Sequence, residues 1–442
     1  MTKPPVRRRL PDDIVRDPAE LFQRIRLRPG SFWLDSGQGI SEHGRFHYLG
    51  ADPDYVLSQK HPCAWPTIPT AETNPGRDGS DQWPAAKWVG YLAYDLGATL
   101  ETLPKTPRVN EAPDAYFARY PATITIDTKT KDALLTGDSA HSIDRLIEWL
   151  RRPPVLTHIS ADLASGPESI WGLERFIHAV ERAKEYIAAG DVYQVNLSHR
   201  FEALLRAMSP EIASDLYLKM RAKHSAPYGA FLSLVGTEKN TSILSNSPEG
   251  FLDIDLRPRL GRVATWPLKG TRPISGDTNE LLQSTKDRAE HVMIVDLERN
   301  DLGRIARTGT VNVSKLMEVI RLPTVLHLES CVEAIPNNNI GLDDILRACF
   351  PGGSITGAPK VRAMQIISEL EQEHRHVYCG ALGYIDFDGY RSRWSIPIRT
   401  ALIENERISF RSGSGIVSDS NPVAEWQETL DKSVALIAAI TD

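Results

Sequence analysis

Between Glu174 and Ser198 the chain switches from a helical to an extended hydrophobic period within a few residues, and this switch narrows the possible folds most. From Glu174 to Ala189 the apolar residues Phe176, Ile177, Val180, Ala183 and Ile187 share one helical face, and Gly190 is the stop. From Val192 to Ser198 the period is two. Tyr193, Val195 and Leu197 face one way, and Gln194, Asn196 and Ser198 the other, the pattern of a half-buried strand with an unusually polar second face. The same reading predicts helices at Leu281–Asn300, Pro359–Leu370 and Pro422–Ile440. Strands are predicted at Ala230–Leu234, Ser242–Ser245, Ala381–Phe387, Ser395–Ile403 and Arg407–Phe410. Strands and helices are mixed, not strictly alternating, so a layered α+β architecture is expected in place of a doubly wound sheet.

The first half is richer in turns. Short strand-like runs occur at Ser31–Leu34, Trp88–Tyr94 and Ala122–Ile126, and the prolines and glycines of residues 62–84 predict a long loop or insertion. Arg151-Arg152-Pro153-Pro154 and Ser165-Gly166-Pro167 mark a boundary, giving an N-terminal region of residues 1–165 and a second region of 170–442. Lys and Arg total 51 against 57 Asp and Glu, a net charge of −6, which argues against a general nucleic-acid binder. Cys63, Cys331, Cys349 and Cys379 are scattered and read as reduced thiols. The opening residues lack the apolar run of a secretion signal, and Val434–Ile440 is too short to span a bilayer. A cytoplasmic protein without membrane or nucleic-acid partners is therefore expected.

Several constellations could carry chemistry. Asp287 and Glu290 are three apart on one predicted helix, and Glu425 and Glu428 on another, with Lys432 on the same face as the second pair. Such spacing is common on solvated helix faces. As a metal site, two carboxylate pairs without Cys or His would suit a hard ion such as Mg²⁺. Trp426, Leu430, Val434 and Ile437 form a separate apolar stripe on the later helix. Pro351 to Lys360 is a glycine-rich loop running into a helix, suited to a carboxylate or phosphate but lacking the P-loop order. Gly413-Ser414-Gly415 reads as a tight turn. Lys269 would be a nucleophile only if deprotonated, Glu249 a general acid only if buried, and His327 lies in a strand where a core role is common. No cysteine-nucleophile motif of the kind glutaminases carry is present.

Taken in order along the chain, these segments resemble the chorismate-utilising enzymes. The resemblance is carried by GDVYQVNLSHRF (190–201), SPE (247–249), PLKGTRP (267–273), KDRAEHVMIVDLERNDLGR (286–304), VLHLES (325–330) and PGGSITGAPKVRAM (351–364). CGALGYI (379–385), IRT (398–400), RSGSGIVSDS (411–420) and EWQETLDK (425–432) continue it. LDSG (34–37), GRF (44–46) and WVGYLAYDL (88–96) extend it more loosely into the first half. It implies a two-layered α+β fold: an antiparallel β-sandwich core with flanking helices, shared by both regions of the chain. Within the family, anthranilate synthase large subunits and isochorismate synthases typically have alanine where this chain has Lys269, whereas the aminodeoxychorismate synthase branch has lysine. Gln194 stands where isochorismate and salicylate synthases have a catalytic lysine, which argues against water as the nucleophile.

The resemblance also implies roles. Glu290 and Glu428 would bind Mg²⁺ directly, with Asp287 and Glu425 acting through water. Tyr384, Arg399, Lys432 and the backbone around Gly413, Ser414 and Gly415 would hold the carboxylates of chorismate, with His327 and Ser354 nearby. Lys269 would attack C2 as the C4 hydroxyl leaves with a proton from Glu249, and ammonia from a separate glutamine amidotransferase subunit would then displace the lysine at C4. Ser36, Arg45 and Phe46 match an element that binds tryptophan in relatives. The rivals are an anthranilate synthase component I and a catalytically silent scaffold that binds tryptophan or chorismate. Departures from the family's usual pattern are Gly250 after Ser-Pro-Glu, the run Tyr390–Trp394, and Glu329 and Cys331 after His327.

Overall fold

The computed structural model describes residues 4–37, 43–61, 64–69, 83–154, 161–258, 261–321 and 325–441. The expected loop over 62–84 lies largely outside these residues, as does Cys63, while Cys331, Cys349 and Cys379 are buried free thiols. Strands Tyr228–Leu234 and Ala381–Asp386 are buried almost throughout. A strand buried on both faces needs a layer on each side, and the fold supplies one.

Among the described residues there are two antiparallel sheets, of twelve and ten strands. In the first, Phe32–Asp35, Tyr228–Leu234, Thr241–Ser247, Thr400–Glu404, Arg407–Ile416 and Gln194–Leu205 lie side by side. The second runs from Leu268–Pro273 through Val325–Ala334, Arg262–Thr265, Gly250–Asp255, Arg391–Ser395 and Ala381–Asp386 to Ala86–Leu92. The sheets face each other across a core that includes Phe32, Val89, Tyr116, Leu232, Ile243 and Leu382. Each such apolar side chain contributes about 1.5–3 kcal/mol by leaving water. Helices cover the outer faces. Pro18–Ile25, Ala140–Leu150, Pro210–Lys223 and Pro422–Thr441 pack on the first sheet, Thr285–Gly303 and Leu342–Cys349 on the second. Strands from both halves of the chain pair directly, Phe32–Asp35 with Tyr228–Leu234 and Ala86–Leu92 with Ala381–Asp386. No helix of the described residues is long and apolar enough to cross a membrane.

Four local expectations are corrected. The run expected as one strand at Ser395–Ile403 is two, Arg391–Ser395 and Thr400–Glu404, separated by a break in which Arg399 takes φ 51°. Gly413-Ser414-Gly415 is not a turn but the last part of strand Arg407–Ile416. The helix expected at Leu281–Asn300 is interrupted at Ser284, which caps Thr285–Gly303 by accepting from the Asp287 backbone N–H at 3.2 Å. The apolar stripe of the last helix packs only in part: Trp426, Leu430 and Ile437 are partly buried against the core, Val434 is 56% exposed, and the most buried face is that of Glu425, Thr429, Ser433 and Leu436. Small Thr429 and Ser433 let this helix approach the sheet closely. Ser412 Oγ donates to the Thr429 carbonyl at 2.7 Å, and the Thr429 hydroxyl lies 2.8 Å from His199 Nε2.

Candidate active site

The polar face of strand Gln194–Leu205 is buried too. Val195 and Leu197 pack into an apolar cluster with helices Gly172–Ala188 and Lys360–Glu371, while Gln194 is also fully buried on the opposite face. Both side-chain polar atoms of Gln194 lack a hydrogen-bond partner. Gln194 lies against Gly415, where an added Cβ would sit 2.4 Å from Gln194 Nε2 and 3.7 Å from Lys269 Nζ. Strand Arg407–Ile416 thus carries its glycine where the Gln194 amide and the lysine come together.

Lys269 lies in regular structure. It stands half-buried on strand Leu268–Pro273, opposite Leu328. The ladder is irregular between Lys269 and Thr271, where Gly270 takes φ 68°, and the Gly270 carbonyl accepts from His327 Nδ1 at 3.0 Å. Burial pushes the Lys269 amine below its ordinary pKa, and Lys432 adds to this against the opposing charges of Glu290, Glu249 and Glu428. His327 is held down to about 4 by burial, so it is a neutral imidazole that donates from Nδ1.

Glu249 follows strand Thr241–Ser247 and is 6% exposed. Burial pushes its carboxyl up to about 7, against the Ser354 side chain, Lys269, Lys432 and the Leu268 backbone N–H. Its Oε1 has no hydrogen-bond partner. An acid that is protonated near neutrality therefore faces an amine that has lost part of its hold on a proton. Ser354 comes from the short turn Gly353–Ile355 in the glycine-rich loop, and the Gly353 N–H donates to Glu298 Oε1 at 3.2 Å. Glu298 carries no motif of its own. The available signal was its place four residues after buried Ile294 and four before buried Leu302, a carboxyl in an apolar helical stripe.

Two further cations border this centre. Lys432 Nζ donates to the Gly413 carbonyl at 3.1 Å and pairs with Glu428 at 2.6 Å. Arg399 is half-buried at the strand break, and no carboxylate among the described residues pairs with it. Both cations act on His327. The buried Ser414 hydroxyl also lacks a partner. An exposed lysine and a half-buried arginine beside an unpartnered buried hydroxyl suit an anionic ligand.

The four carboxylates do not converge as a set. Glu290 and Glu428 act electrostatically on Lys269. Asp287 instead pairs with Arg272 at 2.9 Å, and Glu425 Oε1 accepts from Ser420 at 2.7 Å. No group of three or more Asp, Glu, His or Cys among the described residues could hold a metal. Mg²⁺ often takes one or two carboxylates and completes its shell with water and substrate oxygens. Glu290 and Glu428, hard oxygen donors that both act on Lys269, fit that pattern.

Tyr384 is not with these residues. Its hydroxyl is 2.8 Å from that of Tyr48, and both line a small cavity of about 50 Å³ between the sheets, together with Ser36, Phe46, Tyr228 and Arg393. Period two places Tyr384 on the inward face of its strand, toward the opposite sheet. Ser36 donates to the Phe46 carbonyl in the wall of that cavity, but Arg45 pairs with Asp127 at 2.8 Å. His43 Nε2 lies 2.8 Å from Glu329 at the cavity's edge.

The family model described as "chorismate binding enzyme" matches residues 31–438. Aminodeoxychorismate synthase component 1 from Salmonella typhimurium is 35% identical over 442 residues, covering 93% of each chain. Anthranilate synthase component 1 from Streptomyces coelicolor is 38% identical over 472 residues, covering 99% of this chain and 88% of the relative. The crystal structure of anthranilate synthase component I from Streptococcus pneumoniae TIGR4 superposes with a TM-score of 0.76 at 29% identity, covering 89% of this chain and 92% of the other. The two-sheet fold, the basic and acidic side chains gathered around Lys269, and these matches over nearly the whole chain agree: the protein belongs to the chorismate-binding enzymes and acts on chorismate.

Proposed function

We propose that the chain is component I of an aminodeoxychorismate synthase, aminating chorismate at C4 with ammonia supplied by a separate glutamine amidotransferase subunit. The observation that carries this reading is the pair of opposite shifts at one centre: the Lys269 amine lowered, the Glu249 carboxyl raised to about 7. The lone pair of Lys269 Nζ bonds to C2 of the ring, both ring double bonds shift, and the C4–O bond breaks. Glu249 gives its proton to the departing hydroxyl, which leaves as water. Ammonia then bonds to C4, the double bonds shift back, and the lysine leaves C2. Splitting one poor displacement in two lowers the barrier for each.

Arg399 and Lys432 would hold the two carboxylates of chorismate, and the Ser414 hydroxyl would add a donor. Glu290 and Glu428 would hold Mg²⁺, which neutralises carboxylate charge and fixes the ring. Gln194, with its amide unpartnered beside Gly415, offers a carbonyl to ammonia without the basicity needed to activate water. The second reading, anthranilate synthase component I, is favoured by the 38% identity to the Streptomyces relative.

One experiment separates them. The protein is incubated with chorismate, Mg²⁺ and ammonium, followed by mass spectrometry of products and of the Lys269 peptide. 4-Amino-4-deoxychorismate together with a chorismate-derived adduct on that peptide is expected. Fluorescent anthranilate with no adduct would establish the second reading. Unchanged turnover in Lys269→Ala would sink the covalent route.

A further inference from the structure

Glu298 is a second buried carboxyl that interacts electrostatically with Glu249. It stands on helix Thr285–Gly303, is 3% exposed, and accepts from the Gly353 N–H at 3.2 Å. The next residue, Ser354, presents its side chain to Glu249. The Gly353–Ser354 turn is therefore held between two buried carboxyls. One turn further along the helix, buried Asp301 pairs with Lys360, whose Nζ also donates to the Cys349 carbonyl at 2.9 Å. Asp301 and Lys360 line a cavity of about 540 Å³, with Asn300, Arg304 and Arg347 around them. Between the cavity and Glu249 stand, in order, Asp301 at the cavity wall, Glu298 one turn back on the same helix, and the Gly353–Ser354 turn, and Asp301 and Glu249 both act electrostatically on Glu298.

The reaction set out above needs a supply of protons to Glu249. Glu249 enters each cycle protonated and leaves it as a carboxylate, because its proton departs with the C4 oxygen as water. Ammonia arriving as NH₃ leaves in the product as an ammonium, and the lysine returns as a neutral amine. One proton per turnover must therefore reach Glu249 from solvent while substrate occupies the face toward Lys269.

The geometry points to Glu298 as the residue that returns a proton to Glu249 from the cavity lined by Asp301 and Lys360, across the Gly353–Ser354 turn. This rests on the reading of Glu249 as the acid. Glu298 gives its proton to the Glu249 carboxylate and takes another from the cavity, so that neither carboxyl changes over a full cycle. The groups facing Glu298 are Asp301 on its own helix, Lys360 from helix Lys360–Glu371, Cys349 from helix Leu342–Cys349 and Glu249 itself, with Arg304 acting on Asp301. Burial first, then Asp301 and Glu249, push the Glu298 carboxyl up to about 8 against Lys360, so it carries a proton at neutral pH.

The test compares the first turnover with later ones in the full chain. Without ammonium, the rate of adduct formation on Lys269 is followed by rapid quench and mass spectrometry; with ammonium, steady-state turnover is measured. Glu298→Gln keeps an acceptor for the Gly353 N–H but cannot pass a proton. Its first adduct should form at the wild-type rate, since Glu249 starts loaded, while steady-state turnover falls about tenfold or more. Added imidazole at constant pH should restore that turnover. Asp301→Asn, which removes the carboxyl at the cavity wall without touching Gly353, should divide the two rates in the same direction and provides the test if Glu298→Gln does not fold. Steady-state turnover within twofold of wild type would overturn the inference. So would an equal fall in both rates that imidazole does not relieve, because Glu298 would then only hold the turn. Wild-type enzyme that consumes chorismate without any Lys269 adduct would overturn the underlying reading, and this one with it, and is recognised because no variant is needed to see it.

Discussion

Replacing Glu249 by glutamine separates what the buried acid costs the fold from what it does in the reaction. An ordinary glutamate releases its proton near 4.5, whereas burial holds that of Glu249 to about 7. Below 4.5 both folded and unfolded chains hold the proton, and the group contributes no pH dependence. Between 4.5 and 7 the unfolded chain has released it and the folded chain has not, so stability falls as pH rises. Above 7 the deficit is complete, at about 1.4 kcal/mol for each pH unit between the two values, or about 3 kcal/mol in all. Glutamine is nearly isosteric, can keep the contact with Ser354, and carries no such deficit. The stability of Glu249→Gln relative to wild type should therefore increase by roughly 2–3 kcal/mol from pH 5 to pH 8, read from urea midpoints at constant salt. Ammonium-dependent turnover should fall by about two to four orders of magnitude in the same protein. Wild-type and variant stability curves that stay parallel from pH 5 to pH 8 would refute the reasoning, because Glu249 would then not be held protonated in the fold.

Gly415→Ala puts a methyl group 2.4 Å from Gln194 Nε2 and 3.7 Å from Lys269 Nζ; we expect a loss of about 1–3 kcal/mol in stability, read by thermal melting, and a larger loss of turnover. Arg399→Gln removes a cation that no described carboxylate pairs with, so KM for chorismate should rise about tenfold or more while the denaturation midpoint stays level or rises. Tyr384→Phe breaks the 2.8 Å contact with Tyr48 between the sheets, and should cost about 1–2 kcal/mol in denaturant titration with kcat/KM for chorismate held within twofold. The pH–rate profile of the wild-type enzyme should fall on its alkaline side near 7, where Glu249 loses its proton, and that limb should be missing in Glu249→Gln.

Periodicity made much of this fold legible. The helix ending at Gly190 and the strand after it are found in place, because both signals are local and strong. Faces were harder to read. The last helix buries Thr429 and Ser433 in place of Val434, since a close approach to the sheet favours small side chains over greasy ones. Gly413-Ser414-Gly415 resembled a turn because glycine is commonest there, but strand residues without side chains are also what a buried glutamine and lysine require beside them. The family resemblance puts Tyr384 with the substrate, although it is the inward alternation of strand Ala381–Asp386 that decides where its hydroxyl goes. Spacing of three put Asp287 beside Glu290 and Glu425 beside Glu428, yet it could not show that Arg272 and Ser420 engage one member of each pair.

The chemistry of Lys269 and Glu249 comes from one cause acting on groups of opposite charge. Removing water disfavours whichever form is ionised, so the same desolvation lowers the amine and raises the carboxyl. Left to their ordinary values the two would exchange a proton and form an ion pair, with neither a nucleophile nor an acid. The surroundings oppose that transfer. Lys432 adds positive charge near Lys269, which disfavours a second ammonium, while Arg399 with Lys432 keeps neighbouring His327 neutral, and the Glu249 Oε1 without a partner leaves a carboxylate poorly solvated. The dianion of chorismate, held by those same cations, would offset their charge and shift both groups on binding. The poise needed for catalysis is therefore a property of the complex, and the pH profile of kcat should be displaced from that of kcat/KM toward higher pH, as two added negative charges raise the values of both groups.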